Sequence, residues 1–213
     1  MENFVWDIPT IMHFGNDAHE KIRFVLPQFG TRVLIIRGGE SLLKNGVFGK
    51  IMNEVEAADI DFAEYSGVKP NPRIEEVREA TDLARNFQPD VILAVGGGSV
   101  IDSAKAVAAA TLYDNDPWDL FTGALTPERA VPIVAVLTLA ATGTEMNPFS
   151  VVQNGETGLK AAFANKLVSP TFSFLNPSFT VSVSRDYTAY GISDLVAHSM
   201  EAYFGAGDAS LAE

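Results

Sequence analysis

An apolar strand that runs into a glycine turn and then a helix constrains this chain most. Residues 91–95 (Val-Ile-Leu-Ala-Val) are uninterrupted apolar and rich in β-branched side chains, which predicts a parallel strand covered on both faces. Residues 96–99 (Gly-Gly-Gly-Ser) follow, and residues 100–107 have the composition of a helix. Unsatisfied N–H groups and the helix dipole favour a phosphate at such a turn, which indicates a nucleotide site. A plain βα turn is the alternative, because the G-x-G-x-x-G spacing is absent.

Charge and composition exclude several classes of function. The net charge is -12 over 213 residues, which argues against nucleic-acid and anionic-membrane surfaces. Without cysteine, the chain has no disulfides, thiolate metal sites or cysteine nucleophile. No apolar run is long enough to cross a bilayer, and residues 1–4 do not resemble a signal peptide. A cytoplasmic location is therefore expected.

Strands and helices alternate through the chain, which predicts an α/β fold with a Rossmann-like parallel sheet and helices on both faces. Edge strands are expected within residues 4–15, an irregular loop at 113–130 and a hairpin at 151–160. The remaining predicted strands are 32–37, 60–65, 132–137 and 172–177, and the remaining predicted helices are 47–57, 74–86 and 184–204.

Two further strand ends carry small polar residues. Gly38, Gly39 and Ser41 follow one strand, and Thr138 and Thr142 follow another. Ligands bind where the carboxyl ends of parallel strands meet, so these residues are candidates for ribose and phosphate contacts. The alternatives are a helix cap for Ser41 and ordinary loop composition for the threonines.

The last predicted helix carries a carboxylate and an imidazole one turn apart. Asp194 and His198 at i and i+4 can chelate one divalent metal, but spacing alone favours an exposed charged pair. Lys160 alone is typical of a solvated surface charge. His13 and His19 are predicted to be surface or packing residues.

Together these motifs resemble the iron-containing (group III) alcohol dehydrogenase family, and most closely its NADPH-dependent butanol-dehydrogenase-like branch. The resemblance rests on residues 9–15, 38–41, 44–46, 70–72, 96–102 and 141–147, and on Asp194 with His198. It implies a dinucleotide-binding α/β domain at 1–183, followed at 184–213 by the first helix of an all-helical metal-binding domain.

The resemblance also implies roles for individual residues. Asp194 and His198 would bind a divalent metal, Fe²⁺ or alternatively Zn²⁺, and act in catalysis through it. The cofactor would be NADP(H), with NAD(H) as the alternative, and Gly97, Gly98 and Ser99 would hold its pyrophosphate. The full set of cofactor positions is Gly38, Gly39, Ser41, Asn71, Gly97, Gly98, Ser99, Asp102, Thr138, Thr142, Asn147 and Lys160.

The resemblance has two departures. The family carries two more metal-binding histidines beyond the position of His198, so this chain looks like an N-terminal half and is expected to have little activity alone. The other departure lies at residues 37–41 (Arg-Gly-Gly-Glu-Ser), where the branch usually has a tyrosine and a third glycine before the serine. Gly39 and Ser41 favour NADP, but Glu40 could repel a 2′-phosphate.

The expected function of the complete enzyme, a homodimer, is hydride transfer between NADP(H) and a primary alcohol or aldehyde such as butanol or butanal. A glycerol- or 1,3-propanediol-type dehydrogenase is one alternative. A nucleotide-binding module without redox activity is another.

Overall fold

A six-stranded parallel sheet forms the centre of the computed structural model, which describes residues 7–205. Residues 4–6 of the predicted edge segment and 206–213 of the predicted second domain lie outside the described residues. The strands are β1 (Ile11–Phe14), β2 (Arg32–Gly38), β3 (Asp61–Val68), β4 (Val91–Gly96), β5 (Ile133–Leu137), β6 (Phe149–Asn154), β7 (Leu159–Ala164) and β8 (Phe172–Leu175). The helices are α1 (Ile22–Val25), α2 (Ser41–Lys44), α3 (Val47–Ala57), α4 (Ile74–Phe87), α5 (Gly98–Ala110), α6 (Asp119–Thr122) and α7 (Arg185–Phe204).

The strand order creates a crevice between β2 and β4. The order is β1-β8-β5-β4-β2-β3, so the chain leaves β2 outward to β3 and then returns to β4 on the opposite side of β2. Such a reversal opens a crevice at the carboxyl ends of the two strands, where ligands of open α/β sheets bind. β6 and β7 form a separate antiparallel hairpin.

The core has two layers because successive side chains of a strand point to opposite faces. Seven residues of β2, β4 and β5 pack on the face covered by α4 and α5: Leu34, Ile36, Ile92, Ala94, Ile133, Ala135 and Leu137. Seven pack on the face covered by α1 and α3: Val33, Ile35, Val91, Leu93, Val95, Val134 and Val136. The predicted sheet with helices on both faces is thus confirmed.

Two details differ from the sequence-based expectations. The stretch 113–130, predicted to be irregular, contains α6, because Trp118 and Phe121 stack and Phe121 packs edge-on against Phe163. Ser41 is the first residue of α2 and its side chain does not cap that helix.

Among the described residues, no helix combines the length and hydropathy needed to span a bilayer.

Gly96 allows β4 to approach α5 closely. A Cβ on Gly96 would lie 2.4 Å from Val100 Cγ2 and 2.6 Å from Val100 Cβ. Gly96→Ala is therefore expected to lower the free energy of unfolding by about 2 kcal/mol in a denaturant titration, because overpacking forces the strand and helix apart. Gly49→Ala in α3 is the control, since nothing lies within 4 Å of its added Cβ. It should stabilise the chain by about 0.5–1 kcal/mol, and equal effects of the two changes would contradict the packing argument.

Candidate cofactor and metal site

A cleft of about 700 Å³ lies at the carboxyl ends of β2, β4 and β5. The sheet register sets its floor, because Arg37 pairs with Val95 and Gly96 pairs with Leu137. The residue that follows β5, Thr138, donates its backbone N–H to the Gly96 carbonyl. Eight of the twelve predicted cofactor residues line this cleft: Gly38, Gly39, Ser41, Gly97, Gly98, Ser99, Thr138 and Thr142.

The N-terminus of α5 faces this cleft without a side-chain cap. Gly97 is the N-cap residue, and the first helical residues Gly98 and Ser99 line the cleft. A Cβ on Gly97 would lie 3.2 Å from Leu139 Cβ, and one on Gly98 would lie 3.0 Å from Thr142 Oγ1. Larger side chains would therefore fill the space in front of the helix. The helix dipole and its unsatisfied N–H groups favour an anion in that space.

The charges around the cleft also suit an anion. Among the described residues, Lys69 is the only charged side chain that lines it, although the whole chain is acidic. Lys69 Nζ lies 3.7 Å from Glu76 Oε1. Glu40 does not line the cleft, and its carboxylate is paired with Lys44 at 3.1 Å.

The other four predicted cofactor residues lie outside the cleft lining. Asn71 has a left-handed backbone with φ of 57°, and its Oδ1 is 3.5 Å from Lys160 Nζ. The hairpin brings these two residues together, because the Gln153 N–H donates to the Pro72 carbonyl at 2.8 Å.

Asp102 and Asn147 are the last two of these four residues, and each contacts the segment in which the other lies. Asp102 lies on α5, just beyond the glycine turn, and accepts hydrogen bonds from Thr144 Oγ1 at 2.5 Å and the Val151 N–H at 3.0 Å. Burial raises the pKa of the Asp102 carboxyl, and the Thr144 hydrogen bond and the Lys105 and Lys160 charges oppose that rise. Asn147 accepts a hydrogen bond from Lys105.

The candidate metal ligands lie on α7, where Gly191 packs against the loop after β5. A Cβ on Gly191 would lie 3.3 Å from the Ala140 carbonyl oxygen. Asp194 follows about 4.5 Å further along the helix axis. Its side chain is 42% exposed and that of His198 is 54% exposed.

The donor chemistry of this pair fits a divalent metal in part. Asp194 Oδ1 and His198 Nε2 are 3.5 Å apart, close to the separation of about 3.4 Å expected for two donors on one tetrahedral ion. Within residues 7–205, no group of three His, Cys, Asp or Glu side chains could hold a metal ion. The described residues therefore offer two ligands, and a catalytic site generally needs at least one more.

Comparison with known proteins decides the family. The family model described as iron-containing alcohol dehydrogenase matches residues 9–177. The chain belongs to this family. The resemblance inferred from the motifs is confirmed, and the fold agrees with solved structures of iron-containing alcohol dehydrogenases.

Relatives with several cofactor preferences align along almost the whole chain. A probable NADH-dependent butanol dehydrogenase from Bacillus subtilis is 43% identical over 204 residues, which cover 96% of this chain and 52% of the relative. An NADPH-dependent aldehyde reductase from Escherichia coli is 38% identical, covering 95% of this chain and 52% of the relative. The crystal structure of an NADH-dependent butanol dehydrogenase from Thermotoga maritima superposes with a TM-score of 0.93 at 42% identity, covering 96% of this chain and 52% of that one. The chain thus spans about half the length of these iron-containing alcohol dehydrogenases.

Two histidines outside the site have packing roles in this member of the iron-containing alcohol dehydrogenase family. His13 stacks on Phe174 with ring centroids 5.0 Å apart, and His19 is buried with an edge contact to Phe179. Lys105 and Thr144, in contrast, join the candidate site although the sequence had assigned no role to either, Thr144 being only one residue of the motif 141–147. The available signal for Lys105 was that it is the one lysine of α5, whose other polar side chains are Ser99, Asp102 and Ser103.

Proposed function

We propose that this chain supplies the dinucleotide-binding half of a metal-dependent alcohol dehydrogenase that transfers a hydride between NADP(H) and a primary alcohol or aldehyde. The observation that carries the proposal is the cleft at the switch between β2 and β4, with its uncapped helix N-terminus and single lining charge. A pyrophosphate needs such donors, and the proposed ligands are the N–H groups of Gly98 and Ser99 and the Ser99 hydroxyl.

The chemistry divides between the bound groups and the chain's own residues. The nicotinamide supplies or accepts the hydride, and a divalent ion polarises the carbonyl of the substrate. The proposed role of Thr138 and Thr142 is to donate hydrogen bonds to the cofactor. Lys160 and Asn71 are proposed to orient its nicotinamide ribose. The glycine turn would fix the phosphates and so orient the bound cofactor.

We propose NADP(H) as the preferred cofactor. Gly39 leaves open space where a side chain would stand, and Lys69 brings positive charge to the same cleft. The Glu40 carboxylate, which the sequence suggested would repel a 2′-phosphate, does not line the cleft. NADH-dependent relatives at similar identity keep NAD(H) as the alternative.

We also propose that residues 184–213 begin a second, helical domain that follows a cofactor domain at 1–183. Of the described residues of α7, Gly191 alone is buried, whereas α5 is buried along most of its length. Apolar side chains of α7 are exposed on more than one face, including Ile192, Leu195 and Met200. A long helix of this kind needs covering partners, and they would also supply the missing metal ligands. The expected homodimer stays a prediction.

A nucleotide-binding module without redox activity is the second candidate. It is favoured because, within residues 7–205, no third His, Cys, Asp or Glu side chain completes a metal site with Asp194 and His198. A glycerol- or 1,3-propanediol-type dehydrogenase would use the same cleft, so substrate profiling of a complete enzyme separates it from the proposed one.

Binding of NADPH to the 213-residue chain tests the cofactor site directly. Fluorescence titration is expected to show saturable binding that Gly98→Val weakens about tenfold or more, because the new side chain meets Thr142 and blocks the helix N-terminus. One lost charge-assisted hydrogen bond is enough for that factor. Gly49→Val is the matched control and should bind as the wild type does. Absence of saturable binding by the wild type, or equal affinities for the two variants, would contradict the proposed site.

A further inference from the structure

Lys105 is a fully buried lysine whose ammonium is surrounded by oxygen acceptors. Nζ lies 2.7 Å from the Thr144 carbonyl oxygen, 2.7 Å from Thr144 Oγ1, 2.8 Å from the Phe149 carbonyl oxygen and 3.0 Å from Asn147 Oδ1. An ammonium has three protons, so every one has an acceptor. Burying a lysine is unfavourable unless it is paired in this way, which suggests that the interaction serves a purpose beyond packing.

These bonds attach a loop to the helix that begins at the glycine turn. Thr144 Oγ1 donates its one proton to Asp102, so it accepts from Lys105, and the direction of the chain of bonds is fixed. On the far side, Ser150 Oγ donates to the Asp102 carbonyl at 2.7 Å. Segment 144–150 is therefore anchored to α5 at several points. Two of the proposed cofactor residues, Thr142 and Asn147, lie in or beside that segment.

The positive charge of Lys105 is balanced by carboxylates on two elements. Asp102 faces it from its own helix and Glu145 from the loop, and Lys160 of the hairpin faces Asp102 from the other side. Burial lowers the pKa of Lys105 to about 8, although the charges of Asp102 and Glu145 raise it. The ammonium thus loses its proton near the upper end of the physiological range.

We propose that Lys105 is a positioning residue: its ammonium holds Thr144 and Asn147, and through Thr144 the nearby Thr142, in place beside the glycine turn, and dinucleotide affinity depends on that positive charge. This inference rests on the proposed cofactor function. Neutral Lys105 has only two protons to donate and leaves Asp102 without its nearest cation. The loop is then less well held and the site less favourable for an anion.

The pH dependence of NADPH affinity tests this inference. The dissociation constant of the 213-residue chain should be nearly constant from pH 7 to about 7.5 and rise about tenfold by pH 9.5, as Lys105 loses its proton. The cofactor itself does not titrate in this range, because its 2′-phosphate ionises near pH 6. Lys105→Met should bind about tenfold more weakly at pH 7 and show no inflection near pH 8. Lys160→Met should bind more weakly but keep the inflection, which assigns it to Lys105.

Stability should change with pH in the opposite direction. The pKa of Lys105 is lower in the folded chain than the ordinary 10.5, so its contribution to stability is present above pH 10.5 and lost as the pH falls through 8. Relative to Lys105→Met, the wild type should therefore become more stable between pH 8 and 10 while its affinity falls. If Lys105 had only a structural role, the affinity for NADPH would not change with pH, or it would rise together with the stability.

Two variants of Thr144 decide the matter even if Lys105→Met does not fold. Thr144→Val keeps the lysine but removes the hydroxyl's hydrogen bonds to Asp102 and from Lys105, and it should weaken NADPH binding about fivefold or more. Thr144→Ser keeps the hydroxyl and should restore binding to within about twofold of the wild type. Wild-type affinity in Thr144→Val, or an inflection that survives in Lys105→Met, would overturn the role of Lys105 alone. A wild-type chain that does not bind NADPH at pH 7 would overturn the proposed function as well.

Discussion

A fusion of this chain to the remaining half of its Bacillus subtilis relative is expected to reduce butanal with NADPH, and Asp194→Ala or His198→Ala is expected to abolish that activity. The pair has the donor types and the 3.5 Å separation of two ligands on one ion, and the relative's second half is expected to complete the set. Losing a ligand should lower kcat/KM by a factor on the order of 1,000, or about 4 kcal/mol of transition-state stabilisation. Steady-state kinetics and metal analysis of the fusion provide the measurement.

Glu201→Gln in the same fusion is the matched control. Glu201 lies on the same helix and its Oε2 is 3.5 Å from His198 Nδ1, but its side chain is 78% exposed and it is not a proposed ligand. Activity and metal content should stay within about threefold of the parent fusion. NADPH affinity should be unchanged in all these variants, since none lines the cleft. Metal retention and turnover in the double variant Asp194→Ala/His198→Ala would rule out the proposed ligands.

The chain alone should bind NADPH but convert butanal no faster than background. This contrast separates the two halves of the proposal, because a dinucleotide cleft can form without a complete metal site. Turnover by the 213-residue chain loaded with Fe²⁺ or Zn²⁺ would contradict the expected dependence on further ligands.

The cleft proposed to bind the cofactor could be predicted from sequence because its parts are local. The run 91–95 forms a strand buried on both faces, and the glycine turn after it begins α5 as expected. Glycine turns at the ends of neighbouring strands then define a crevice through sheet topology alone. For this reason eight of the twelve proposed cofactor residues are found together in one cleft.

Contacts between distant segments could not be predicted in the same way. Asn71 and Lys160 are 89 positions apart, and the docking of a hairpin against Pro72 brings them together. The sequence gives Lys105 no partner, because its hydrogen-bond acceptors lie in a loop about 40 residues later in the chain. The i, i+4 spacing of Asp194 and His198 fits both a ligand pair and a surface pair, and their exposure on α7 is compatible with either.

Gly39→Asp is expected to reverse the cofactor preference of the chain. Gly39 is exposed at the end of β2, its φ is not in the left-handed region, and an added Cβ meets nothing within 4 Å. The new carboxylate should therefore leave the fold intact. Two like charges about 4 Å apart repel by about 4 kcal/mol at an effective dielectric constant near 20, and salt reduces this value. The affinity for NADPH should fall about tenfold to a hundredfold.

NADH supplies the internal comparison, because it differs from NADPH only by the 2′-phosphate. Its affinity should stay constant or improve about threefold, since the carboxylate can accept a hydrogen bond from the ribose hydroxyl. Gly39→Asn adds a side chain of the same shape without charge, so it should weaken NADPH binding far less than Gly39→Asp. Equal losses for the two nucleotides would mean that the side chain obstructs the cleft instead of repelling a phosphate. An unchanged affinity for both would mean that the adenosine ribose binds away from Gly39, and the assignment of the β2 turn to that end of the cofactor would be wrong.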